Sequence, residues 1–120
     1  MNLDWKSGEL AEGLACYREG KFFLAHEHWE VVWLSADEPE KSFLQALIQM
    51  SSACHHRQRG NGKGAVSLMS KSLLRLEGCP PGFGGIDVGA LCGEARACLR
   101  LLREGELPPL GPSPQIKVLE

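Results

Sequence analysis

The segment His26-Glu27-His28-Trp29-Glu30 concentrates side chains that can move a proton or hold a metal ion. An imidazole titrates near neutrality, and a carboxylate one helical turn away can orient it or share its proton. His26 and Glu30 have that i, i+4 spacing. Phe22, Phe23, Trp29 and Trp33 share one broad face of a helix. At about 100° per residue, His26 falls in the middle of the face that carries Phe22, Trp29 and Trp33, and Glu30 lies about 40° to its side. Glu27 and His28 turn progressively away. A carboxylate is costly to bury unless it is paired. The expectation is therefore that His26 and Glu30 are largely buried, as a pair.

A second polar stripe, Gln45, Gln49, Ser52 and His56, recurs at i, i+4, i+7 and i+11 in the next helical segment. If the two segments form a hairpin, Gln49 or His56 meets His26 or Glu30. Three chemistries compete for such a cluster. It can be a satisfied polar core that fixes helix register. It can be a ligand pocket, in which His26, Glu30 and His56 supply the two imidazoles and one carboxylate of a zinc or non-haem iron site. It can be a metal-free acid–base pair, His26 poised by Glu30. His26-x-x-x-Glu30 is half a metal motif and is not H-E-x-x-H, so the polar core is favoured. No cofactor is predicted, and a divalent metal stays open only at this cluster.

A weaker candidate is the run from His55 to Gly64, where Arg59, Asn61 and Lys63 flank a glycine-rich helix start whose free N–H groups could attract an anion. It is not a Walker loop, because Gly64 follows Lys63 where Ser or Thr is required. A solvated turn explains it as well, since cations are favoured near a helix C-terminus.

The elements that must position these residues are all helical. Leu10, Leu14 and Tyr17 mark a first helix, with Ser7 or Asp4 as its cap and Gly20 as its stop. The second runs from about Phe22 to Leu34. The third runs from about Glu40 to Arg59, with Asp37 and Glu40 at capping-box spacing. The fourth runs from about Lys63 to Leu76. A Gly/Pro-rich loop over 78–85 precedes a fifth helix capped by Asp87. An internal repeat links them: Gly20, Ala25 and Trp29 reappear as Gly60, Ala65 and Met69, with a third start at Gly105 cut short by proline. The expected fold is all-α, five helices in antiparallel hairpins, loosely tetratricopeptide-like. Residues 1–106 form one domain and 107–120 an irregular Pro-rich C-terminal arm, either loose or laid across the body. Deleting residues 107–120 is expected to leave helical content nearly unchanged, because the prolines cannot join a helix. A large loss of cooperativity would mean that the arm packs on the core or on a second subunit through Leu110, Ile116 and Val118.

With 120 residues, a net charge of -2 and 43% hydrophobic residues, the chain supports one ordinary globular core and no global field for nucleic acid or anionic membrane. No apolar run approaches the roughly 20 residues of a membrane span, and the first residues do not read as a secretory signal. Five cysteines without C-x-x-C spacing read as reduced thiols packed in a cytoplasmic protein.

Taken together, His26-Glu27-x-Trp29-Glu30-x-x-Trp33, Phe43-Leu44-Gln45-x-Leu47-Ile48-Gln49 and His56-x-x-x-Gly60-Asn61-x-x-Gly64-Ala65 resemble the domain of unknown function 309 family, small prokaryotic helical proteins. The resemblance runs from about Asp4 to Leu102. It implies an all-helical fold and a cytosolic setting, and no activity. The family's characteristic polar residues fall on His26, Glu27, Glu30, Gln49 and His56. The functional expectation is a non-catalytic helical module that binds a protein or small ligand, with homodimerisation open. A metal-dependent hydrolase built on His26, Glu30 and His56 is the alternative.

Overall fold

The structure is a computed structural model that describes residues 3–109 and 111–120. Met1, Asn2 and Leu110 lie outside the described residues, and with Leu110 so does one of the three residues expected to dock the arm. The chain forms α1 (Gly8–Arg18), α2 (Phe22–Ser35), α3 (Glu40–Gln58), α4 (Gly62–Glu77) and α5 (Val88–Arg103), with a 3-10 turn at Phe83–Gly85 before α5. Each helix packs chiefly on the next in sequence.

The repeat read from the sequence is a repeat of turn geometry. Gly20, Gly60 and Gly105 have φ of +78°, +76° and +68°, a conformation that costs glycine nothing. At each, the residue after the glycine donates back across the helix end: Lys21 to Cys16, Asn61 to His56 and Glu106 to Leu101, at 2.8, 2.8 and 2.9 Å. Each glycine N–H also donates to a carbonyl three residues earlier, which completes a Schellman ending. After the first two turns a new helix begins, and its small residue, Ala25 or Ala65, is fully buried where two helices meet. After the third, Pro108 and Pro109 prevent a helix.

The core runs the length of the molecule. At one end Trp5, Tyr17, Phe22 and Trp29 pack ring against ring, and Trp29 seats its indole on the bare backbone of Gly13. Leu44, Leu47 and Met50 of α3 fill the middle with Met69 and Leu76 of α4, and Leu91 and Ala95 of α5 close the far side. Asp87 caps α5 as expected, its side chain accepting from Ala90 N–H. The start of α3 differs from expectation. Asp37 and Glu40 do not form a capping box. Instead the Glu38 carboxylate accepts from the N–H and hydroxyl of Ser42, which holds the Glu38 carboxyl below its usual range.

Of the two placements open to the arm, the structure adopts the one laid across the body. Pro114 and Ile116 are buried, and Ile86 and Val118 form an isolated antiparallel bridge. The arm is extended, as the prolines require, but it is part of the packed structure.

Candidate functional site

Helix α2 decides what its polar residues can do. Measured round the helix from Trp29, Phe22 lies at about 20°, Ala25 at about 40° the other way, and His26 at about 60°. Phe22, Ala25 and Trp29 are the residues that α2 buries. Ala25 draws the buried face away from His26, so His26 sits at the edge rather than in the middle. Its side chain is 21% exposed, and that of Glu30 is 49% exposed. The expected pairing is present: His26 Nε2 lies 2.5 Å from Glu30 Oε1. The expected burial is not, because the inner face runs from Ala25 through Trp29 to Phe22, and Glu30 lies about 100° round the helix from Trp29.

Nor do the two hairpin stripes meet as expected. His26 Nδ1 bonds to Phe23 O at 2.8 Å, within its own helix. His56 Nδ1 accepts from Asn61 Nδ2 at 2.9 Å, and Asn61 Oδ1 accepts from Gly64 N–H at 3.0 Å. His56 therefore braces the Gly60–Asn61 turn and the start of α4. The Gln49 Oε1 atom is buried without a hydrogen-bond partner. What joins the two helices here is a row of rings. Phe23 stacks on His26 at 5.0 Å and on His55 at 5.3 Å, and His55 meets His56 at 6.1 Å. His55 is half-buried beside Phe23. Burial, then the charges of Arg59, His56 and His26, hold it below its usual pKa.

Among the described residues, no three His, Cys, Asp or Glu side chains gather where they could hold a metal ion. His26, Glu30 and His56 thus do not form the ligand set considered for a metal site. Asn61 of the second candidate serves as a helix cap, while Arg59 and Lys63 are exposed. Glu27 makes no ion pair among the described residues and is exposed on the outer side of α2. His28 pairs instead with Glu9 of α1, at 2.5 Å.

Two features were not read from the sequence. The first is the outer side of α2. Phe23 (50% exposed), Leu24 (47%), Val31 (53%) and Leu34 (71%) all lie there. Phe23 therefore does not share the buried face of Phe22 and Trp29 as expected, because it sits about 120° round the helix from Trp29. The only signal was the helix's low polarity all round. The second is the seat of the arm. Arg57, 4% exposed, donates to Gly111 O, Pro112 O and Ser113 Oγ at 2.7–2.9 Å. Tyr17 OH donates to Pro114 O at 2.6 Å, and Arg18 donates to Ile116 O at 2.9 Å. A cavity of about 690 Å³ remains between the arm and the Gly20 turn. Burial raises the Tyr17 hydroxyl well above its usual pKa and pushes the neighbouring Cys54 thiol up to about 11, so both stay protonated there. All five cysteines are free.

Residues 10–68 match the family described as "Domain of unknown function (DUF309)", so the resemblance carried by the His26, Gln49 and His56 motifs stands over that stretch. An "Uncharacterized protein" of Aquifex aeolicus (strain VF5) is 32% identical over 83 residues. That alignment takes in 68% of this chain and 25% of the relative, so the chain spans about a quarter of the relative's length. No solved structure matches. Among the described residues, no helix is long and apolar enough to cross a membrane.

Proposed function

We propose that this chain is a non-catalytic, cytosolic helical interaction module whose docking surface is the outer side of α2, and that its partner presents a basic amphipathic helix. The observation that carries this is the clustering of exposed apolar groups. Of six large hydrophobic residues exposed in the described structure, four belong to α2. Phe23, Leu24, Val31 and Leu34 lie within about 60° of one line down the helix, opposite Trp29. Isolated exposed leucines need no explanation, but four large apolar side chains exposed on one side of one helix support an interaction site.

Charge selects the partner. Glu27 lies at the centre of the stripe and Glu30 at its margin, between the apolar ends. A second copy in antiparallel register that joins Leu24 to Val31 or Leu34 brings Glu27 of one copy within a turn of Glu30 of the other. Like charges so placed are destabilising. A helix with apolar residues at similar spacing and Lys or Arg between them satisfies both the ends and the middle.

The test uses synthetic helical peptides with Leu at matching spacing and either Lys or Glu between. The Lys peptide is expected to bind and the Glu peptide to bind at least tenfold more weakly. Glu27→Lys should invert that preference, and Leu34→Glu should abolish binding without lowering the melting temperature. If neither substitution changes binding, or if the protein self-associates through this face at micromolar concentration, the reading is wrong.

A further inference from the structure

The arm after α5 is held the way a protein grips a separate extended peptide. Tyr17 and Arg57 donate to carbonyls of Gly111, Pro112 and Pro114, and Glu94 accepts from the Gln115 N–H at 3.0 Å. Pro114 and Ile116 fill the body between these anchors. Backbone carbonyls read by a tyrosine hydroxyl and a guanidinium, with a proline ring seated beside them, are the chemistry by which proline-rich segments are recognised. The connection contributes little to this grip. Residues 104–106, 108 and 109 are exposed, and Leu107 packs half-buried against the core. The backbone bonds of the connection are local, as in Gly111 N–H to Pro108 O, while Arg103 at the end of α5 donates to Ser70 Oγ at 3.4 Å. Nothing in the seat requires that the arm come from the same chain.

We infer that the Tyr17–Arg57 seat accepts the arm of a second copy, forming a reciprocal arm-exchanged dimer in which each chain completes the other's groove. Closed monomer and exchanged dimer make the same contacts, so concentration sets the balance. A tethered arm competes at an effective concentration on the order of millimolar. The closed monomer therefore prevails at micromolar concentration and the exchanged dimer gains near millimolar.

Isotope mixing of the unmodified protein tests this. Equal amounts of ¹⁵N-labelled and natural-abundance full chain are unfolded together in urea and refolded at about 1 mM, which removes any barrier to arm release. They are then diluted and treated with a carbodiimide, which joins Lys117 to Glu19 or Glu94 where an arm is seated. Lys117 and Glu19 line the same cavity. Mixed-isotope pairs involving Lys117 are expected, approaching half of such pairs within the dimer fraction. After refolding at about 10 µM they should fall at least tenfold. Tyr17→Phe, which removes one anchor, should speed the loss of mixed pairs on dilution roughly fivefold. If Lys117 pairs are same-isotope only, even at 1 mM, the inference is overturned. Dimers joined through α2 would give no mixed Lys117 pairs, so this outcome is independent of the docking surface proposed above.

Discussion

Alanine at Gly13 sets two known effects against each other at one position. Gly13 is in α1, and replacing a helix-interior glycine by alanine ordinarily stabilises by about 1 kcal/mol. Here a Cβ would lie 2.3 Å from Trp29 Nε1, 2.5 Å from Cδ1 and 2.9 Å from Cε2. The indole cannot retreat. Trp29 is fully buried, with Trp5 at 6.4 Å on one side and Tyr17 at 5.8 Å on another. Overpacking of this kind costs about 1–3 kcal/mol. Displacing the ring also loosens its hydrogen bond to Leu10 O, worth about 1 kcal/mol. The expected net is a destabilisation of about 1–3 kcal/mol. Gly93 is the internal control, since it is helical and exposed with nothing near its would-be Cβ. Gly93→Ala should stabilise by up to about 1 kcal/mol. At roughly 4 °C per kcal/mol for a chain of this size, the two melting temperatures should differ by about 4–16 °C. Equal stabilisation by both substitutions would refute the placement of Trp29 against α1.

The arm and the titratable groups give further expectations. Arg57→Ala removes three hydrogen bonds to the arm, should destabilise by about 2–3 kcal/mol, and should make the Lys117 peptide bond cleavable by trypsin at a protease level that leaves the parent intact. The His55 pKa is lower folded than unfolded, so the unfolded chain takes up its proton first as pH falls below 6.5. Stability should decline as pH falls through 6.5, and urea titrations of His55→Gln should show that decline flattened. In the native protein a thiol reagent at about pH 8 should modify Cys16 and Cys79, which are partly exposed, while the buried Cys54 with its raised pKa reacts only on unfolding.

Helix positions were legible in the sequence because local chemistry sets them: glycine at positive φ ends a helix, and Asp87 starts one. The face of α2 was misjudged for a physical reason. Four large rings, Phe22, Phe23, Trp29 and Trp33, mark one broad face by size, whereas helix approach depends as much on a small residue. Ala25 brings α2 close to its neighbours, Trp33 remains half-buried with Lys41 over its ring, and His26 moves to the rim. The arm's seat was not legible at all. Arg57 reads as one of several cations at the end of α3, and only the fold brings it beneath a segment 54 residues further along. The same holds for Tyr17, whose partner Pro114 is 97 residues away.

That long reach orders events during synthesis. Helices that pack chiefly on their sequence neighbours can associate as they leave the ribosome, each adding to those already made. The contacts between 17 and 114 and between 18 and 116 cannot form until nearly the whole described chain has emerged. A nascent chain that has not reached Gly111 has made the guanidinium of Arg57 but not the carbonyls that satisfy it. For that interval the Arg57 guanidinium faces the translation machinery and its chaperones without the arm, and the groove closes once the proline-bearing segment arrives.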